Sequence, residues 1–215
     1  MNLIEMFFKG GTMMWPILIG SIIAVAITIE KFISIKKSKV NVTAFTIKIR
    51  TILKKKDIAG AINYCLEEKT PIANIIRRGL KKYKFGRKRV TEAIEAAGKI
   101  EIGKMEKGLS TLATIAGAAP MLGFLGTVTG MISAFMRIQE LQGSASPADL
   151  AGGIWEALIT TAFGLIVGIP ALALYNYFLS IVNKNVLEME RIANEILDVL
   201  DETENDFSDD EEIEE

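Results

Sequence analysis

The chain contains no histidine and only one cysteine, Cys65, among its 215 residues. Without an imidazole that titrates near neutral pH, any proton chemistry in this chain falls to carboxyl groups. A lone cysteine provides neither an internal disulfide nor a pair of metal ligands, so we expect Cys65 to be a small core residue. No serine–histidine or metal-binding set is present, and the sequence therefore predicts a protein that is not an enzyme and needs no cofactor.

Charged residues are absent from three long stretches, residues 10–29, 109–136 and 157–183. Each stretch reaches the length of about 20 apolar residues that crosses a bilayer. The first could be read as a signal peptide, but it is longer than a signal core and no basic leader precedes it, so we interpret it as a retained helix. The sequence predicts an all-α integral membrane protein with three transmembrane helices.

Glu156 is the only acid set within the two apolar helices that form the predicted hairpin. A carboxylate inside a spanning helix costs on the order of 2.5 kcal/mol or more. Such residues face a bundle interior or a wet cavity and often mark an ion or proton route. Glu156 is therefore the first candidate for a proton-handling group.

The distribution of charge predicts the topology. Residues 36–109 hold 20 of the 25 Lys and Arg against 7 acids, and the connection 139–149 contains no base. By the positive-inside rule, the basic region and the C-terminus are cytoplasmic, and the N-terminus is periplasmic. The basic run is typical of an anchor near anionic lipid, and we do not expect nucleic-acid binding.

The cytoplasmic part is predicted to be helical. Asp57 and Thr70 stand where N-caps are expected, the latter just before Pro71. The runs from residue 89 to 139 and from 149 to 201 would each be about 75 Å long as continuous helices, which exceeds a hydrocarbon core of about 30 Å. We therefore expect the second and third spans to extend far into the cytoplasm.

The predicted organisation has eight segments. They are a short outer-side interfacial segment (1–11), transmembrane helix 1 (12–34), a cytoplasmic helical domain (35–108), transmembrane helix 2 (109–138), a periplasmic loop (139–149), transmembrane helix 3 (150–182), a cytoplasmic helical extension (183–200) and a disordered acidic tail (201–215). The tail has too little apolar surface to form a packed core. Pro120 and Pro170 are expected to kink the second and third spans.

Small residues recur at helical spacing in both helices of the hairpin, as in Gly123, Gly126 and Gly130. Such a face lets two helix backbones approach closely in lipid. We assign these residues to packing and not to chemistry.

Threonines accompany Glu156 in the hairpin. If the connection is centred on Ser144, Thr127 and Thr161 lie at nearly the same depth, with Glu156 about 7 Å closer to the outer side. Thr160 is a secondary candidate for the same pore. The alternative is that each hydroxyl bonds to a carbonyl of its own helix. Because Glu156 and Thr161 differ by about 140° around the helix, a common pore would need neighbouring helices.

Two segments resemble the MotA/TolQ/ExbB proton-channel family. Residues 112–128 (LATIAGAAPMLGFLGTV) are similar to its second-span signature, and residues 156–171 (EALITTAFGLIVGIPA) are similar to its third. Residues 29–32 (IEKF) match the usual exit from the first span. The resemblance covers about residues 10–200, and three spans favour the ExbB/TolQ branch over the four-span MotA branch.

The resemblance implies a homopentamer in the bacterial inner membrane that surrounds two copies of a single-span ExbD/TolR-like partner. The partner carries a membrane aspartate that exchanges protons, and the residues matching Glu156, Thr127 and Thr161 line the pore. Proton flow would then drive mechanical work or transport at the cell envelope. The resemblance does not indicate which envelope process is energised.

Rival classes stay open from the residues alone. A structural scaffold would use Glu156 only to pair with a polar neighbour. A secondary transporter would normally show more spans and inverted repeats. An intramembrane enzyme would need more than one glutamate to complete a site.

Overall fold

The structure, a computed structural model, describes residues 3–37, 42–68 and 70–212, and every regular element in these ranges is helical. The elements are α1 (Leu3–Lys9), α2 (Met14–Lys37), α3 (Val42–Lys54), α4 (Ile58–Glu68), α5 (Pro71–Leu80), a 3-10 turn (Tyr83–Phe85), α6 (Arg87–Glu106), α7 (Leu109–Glu140) and α8 (Pro147–Glu212). Three segments are long and apolar enough to cross a membrane, namely Met14–Ile35, Arg87–Glu140 and Pro147–Glu202. The predicted all-α membrane fold with three spans is confirmed.

The second apolar segment is built from two helices and not from one continuous run. α6 and α7 are separated at Lys107 and Gly108, where Gly108 adopts a left-handed conformation with φ of 84°. Glycine reaches this conformation without steric cost because it has no Cβ. α8, in contrast, continues for 66 residues, which corresponds to about 100 Å at 1.5 Å per residue.

One compact unit comprises Met1–Ile33 and Gly108–Leu179. It contains α1, most of α2, α7 and the first half of α8. Pro120 and Pro170 lie inside α7 and α8, and both helices continue past them. A Cβ built on Gly168 would lie 2.5 Å from Pro120 Cγ and 3.1 Å from the Ala116 carbonyl oxygen, the acceptor that a proline at position 120 leaves without its helical donor.

Large apolar side chains cover the outside of this unit. Phe124 is 67% exposed, and Leu158 and Ile166 are each 64% exposed. Continuous apolar surface of this kind is unfavourable in water and is typical of membrane or subunit interfaces. The first unit is therefore suited to a lipid environment.

The second compact unit comprises Ser34–Lys107 and Ser180–Glu215 and has its own apolar core. Its most deeply buried large side chains come from α3, α5, α6 and α8: Phe45, Ile49, Leu53, Ile76, Val90, Ile192 and Ile196. Cys65 is buried in the same core, as predicted. The C-terminal half of α8 is thus an integral part of this unit. The sequence predicted residues 183–200 as a cytoplasmic helical extension, and that segment boundary stays a prediction.

Side-chain N-caps define where two helices of the second unit begin. The Gly60 amide donates to Asp57 Oδ1 at 2.7 Å, and the Ala73 amide donates to Thr70 Oγ1 at 3.1 Å. Pro71 occupies the first turn after Thr70. Both predicted N-caps are confirmed.

The acidic C-terminal segment is described as far as Glu212, and its predicted disorder stays a prediction. α8 continues to Glu212, and Arg87 forms a 2.5 Å ion pair with Asp201. Core residues such as Leu200 fix the rotation of α8 in this unit. Asp201, the next residue, therefore lies beside Arg87. Residues 213–215 of the predicted tail lie outside the described residues.

Candidate functional site

The α7–α8 hairpin turns over residues 141–146, a shorter connection than the predicted 139–149. Gln142 and Gly143 adopt left-handed conformations, with φ of 49° and 83°. The Ser146 amide and hydroxyl donate to Asp149 Oδ2 at 2.9 and 2.6 Å, which caps the start of α8. This turn places Glu156 in the third turn of α8.

The two helices of the hairpin touch backbone to backbone. A Cβ built on Gly130 would lie 2.6 Å from the Gly153 carbonyl oxygen and 2.8 Å from the Ala157 amide nitrogen. A Cβ on Gly164 would lie 2.6 Å from the Ala119 carbonyl oxygen. Only residues without side chains permit this separation, which agrees with the packing role assigned from the sequence.

Glu156 lies at the contact between α8 and the α1–α2 turn, and its side chain is partly buried. A Cβ built on Gly11 would overlap Glu156 Oε1 and lie 2.6 Å from Cδ. The carboxyl group therefore rests directly against the Gly11 backbone. No pattern in the sequence indicated this contact, because 145 residues separate the two positions.

Thr160 joins the same turn to α8. Its side chain is fully enclosed, and Oγ1 lies 2.6 Å from the Gly10 carbonyl oxygen and 2.7 Å from the Glu156 carbonyl oxygen. A hydroxyl has one hydrogen, so it donates to one of these oxygens at a time. Within the subunit, the Thr160 hydroxyl connects the α1–α2 turn to α8 by hydrogen bonding. Its role as a secondary pore residue stays a prediction.

The hydroxyls of Thr127 and Thr161 contact helix carbonyl groups. Thr127 Oγ1 donates to the Phe124 carbonyl at 2.5 Å. Thr161 Oγ1 lies 3.0 Å from the Ala157 carbonyl oxygen and 3.1 Å from that of Gly123 across the hairpin. The contacts with Phe124 and Ala157 are bonds within one helix, the predicted alternative to a pore role, whereas the contact with Gly123 joins the two helices. Each oxygen still has lone-pair capacity to accept a hydrogen bond.

The two threonines are close in depth but not level. Thr161 packs beside Gly123, whereas Thr160 packs beside Gly126, the neighbour of Thr127. Thr127 and Thr161 are therefore offset along the hairpin by up to about one helical turn, or ~5.4 Å. That the two residues share nearly the same membrane depth stays a prediction.

No group of three His, Cys, Asp or Glu side chains that could hold a metal ion occurs among the residues that the structure describes. The contacts described at Glu156 are the Gly11 backbone beside its carboxyl group and the Thr160 hydroxyl beside its main-chain carbonyl.

Comparison with known proteins agrees with this architecture. The family described as the MotA/TolQ/ExbB proton channel family matches residues 67–191. A protein of Methanothermobacter thermautotrophicus, named as a homolog of the biopolymer transport protein ExbB, is 32% identical over 192 residues, which cover 89% of this chain and 68% of that protein. An ExbB-like protein of a Synechocystis species is 30% identical over 202 residues, which cover 91% and 78% respectively. The Tol-Pal system protein TolQ of Pseudomonas aeruginosa is 42% identical over 89 residues, which cover 41% and 38%.

The fold and its apolar helices define a multi-pass membrane protein. The chain belongs to the MotA/TolQ/ExbB proton channel family, and its relatives place it in the ExbB/TolQ branch. The resemblance stated from the two span signatures is confirmed.

Proposed function

We propose that this protein is the channel subunit of an energy-transducing complex in the bacterial inner membrane, where proton flow drives mechanical work or transport at the cell envelope. The observation that carries the proposal is the carboxyl group of Glu156, which lies inside the third apolar helix and directly before the charge-free residues 157–183. An ionisable group in such a position is costly and marks a functional site more often than a packing site.

Glu156, Thr127 and Thr161 have distinct roles in the proposed pathway. Glu156 takes up or releases a proton, or holds ordered water beside the pathway. The threonine hydroxyls donate to helix carbonyls, so their remaining lone pairs accept hydrogen bonds from water or from a protonated carboxyl group. The threonines therefore serve as acceptors along the route.

The proposed assembly is a homopentamer around two copies of a single-span ExbD/TolR-like partner that carries a membrane aspartate. The relatives named ExbB and TolQ support a membrane complex with such a partner, and the numbers of copies are part of the proposal. The exposed apolar side chains of the first unit provide surface for lipid and for neighbouring helices. The proposed orientation has the N-terminus in the periplasm and the C-terminus in the cytoplasm, since most basic residues lie in positions 36–109.

Proton flux through reconstituted complex tests the function. Glu156→Ala should abolish or sharply reduce proton-dependent flux, whereas Glu156→Gln keeps the shape of the side chain and should retain assembly. The comparison uses vesicles that contain the subunit with and without its partner, at matched protein levels. Wild-type flux in the alanine variant would refute the proposal, and an assembled complex that never conducts protons would favour the scaffold.

A further inference from the structure

The turn between α1 and α2 is closed by backbone contacts. The Gly10 amide lies 3.1 Å from the Met6 carbonyl oxygen and ends α1, while the Met14 amide donates to the Gly11 carbonyl and begins α2. Gly10 is buried, Met14 is 1% exposed, and Gly11 has a φ of 71°. The turn is therefore a packed part of the first unit.

Gly11 is required at its position for two separate reasons. Its φ lies in the left-handed region, which L side chains rarely adopt. In addition, the space that a Cβ would occupy is already filled by the carboxyl group of Glu156. The first reason applies equally to Gly143, whose φ is 83° and whose Cβ would meet no atom within 4 Å. Only the second reason is specific to Glu156.

Thr160 connects the loop between α1 and α2, by hydrogen bonding, to the part of α8 that contains Glu156. Its buried hydroxyl lies within 2.7 Å of two carbonyl oxygens, one from Gly10 and one from Glu156. A buried carbonyl that loses its hydrogen-bond donor destabilises the folded protein. The hydroxyl thus couples the placement of the Gly10–Gly11 backbone to the placement of Glu156.

We propose that the Gly10–Gly11 turn is a backbone cover for the Glu156 carboxyl group, and that Gly11 and Thr160 are positioning residues for it. Gly11 lets the chain lie flat against the carboxyl group, and Thr160 holds the chain there. The cover limits the directions from which water and reagents reach Glu156. The consequence for proton transfer rests on the proposed function, whereas the cover itself rests on the contacts alone.

Chemical modification of Glu156 tests the cover without any measurement of proton flux. The full chain, in lipid nanodiscs, is treated with dicyclohexylcarbodiimide, and the modified fraction of Glu156 is followed over time by mass spectrometry. Gly11→Ala should raise the modification rate several-fold, because the added methyl displaces either the carboxyl group or the turn. Gly143→Ala introduces the same backbone strain without the contact and should leave the rate unchanged. Equal rates in the two variants would overturn the proposal.

Substitution of Thr160 provides a second test that does not depend on the folding of the Gly11 variant. Thr160→Val removes the hydroxyl at nearly constant shape and should raise the modification rate, whereas Thr160→Ser retains the hydroxyl and should preserve the wild-type rate. A valine variant with the wild-type modification rate would overturn the positioning role of Thr160.

The outcomes separate the cover from the proposed function. Under the two proposals together, Gly11→Ala also shifts the pH profile of proton flux, because the surroundings of Glu156 change. If Glu156→Ala retains flux while Gly11→Ala exposes the carboxyl group, the function fails and the cover stands. If Glu156→Ala abolishes flux while Gly11→Ala leaves modification unchanged, the cover fails and the function stands.

Discussion

Adding one methyl group at the α7–α8 contact by substitution tests whether the hairpin is tightly or loosely packed. Gly153 and Gly152 are neighbours on α8 with opposite surroundings. A Cβ on Gly153 would lie 2.5 Å from the Gly130 carbonyl oxygen and 2.9 Å from both Ala134 Cβ and its amide nitrogen, whereas a Cβ on Gly152 would meet nothing within 4 Å. Gly153→Ala and Gly152→Ala are therefore a matched pair.

The expected magnitudes follow from two opposing effects. Replacing glycine by alanine inside a helix stabilises it by about 0.5–1 kcal/mol, and this gain is common to both variants. The methyl on Gly153 must also push the two backbones apart, and overpacking of this kind costs about 1–3 kcal/mol. We expect Gly152→Ala to be as stable as wild type or slightly more stable, with Gly153→Ala about 1–3 kcal/mol below it.

Reversible unfolding in mixed detergent micelles, followed by helical circular dichroism, measures this difference. A second matched pair, Gly130→Ala and Gly117→Ala, repeats the comparison on α7, since Gly117 also has no atom within 4 Å of its Cβ position. If Gly153→Ala proves as stable as Gly152→Ala, and Gly130→Ala as stable as Gly117→Ala, the close backbone packing is refuted.

Three further predictions address topology, the pore and the second unit. In a Cys65→Ala background, a cysteine at Ser144 should react with impermeant reagents from outside, whereas one at Ser38 should react only after the membrane is opened; the reverse pattern would invert the orientation. Thr127→Val with Thr161→Val should assemble with the partner but conduct few protons, and full flux would make both threonines structural. Burial raises the pKa of the Cys65 thiol to about 11, so alkylation at pH 8 should be much slower in the folded protein than in the unfolded protein. Because the unfolded thiol ionises near pH 9 while the folded thiol stays protonated, stability should fall as pH rises from about 9 to 11, and Cys65→Ala should lessen that fall.

Local chemistry made some parts of the fold predictable from the sequence. Asp57 and Thr70 cap helices because their side chains reach amides only three residues away, an interaction that needs no tertiary information. Charge-free runs of sufficient length likewise identify spans by composition. Gly108 was missed because one glycine inside a helical pattern costs only about 1 kcal/mol and need not end the helix.

The parts of the site that could not be predicted depend on contacts between distant residues. The depth of Thr127 relative to Thr161 was calculated from a symmetric connection centred on Ser144, whereas the hairpin turn spans residues 141–146 and the helix contacts centre slightly earlier. The contact between Gly11 and Glu156 gives no periodic signal at either position. Sequence patterns identified the candidate residues, but they did not identify the backbone segment that contacts Glu156.

The energetics connect the rigid hairpin to the proposed function. One charge that crosses a membrane potential of 100 mV releases about 2.3 kcal/mol. That energy is similar to the cost of forcing one methyl into the α7–α8 contact, about 1–3 kcal/mol. A loosely packed hairpin would deform by small amounts and dissipate this energy within the subunit. Backbone contact at Gly130, Gly153 and Gly164 leaves little room for such deformation, so a change of protonation at Glu156 can act on the groups around it. The proposed function, in which the subunit passes proton energy to a partner, therefore requires a close glycine interface beside Glu156.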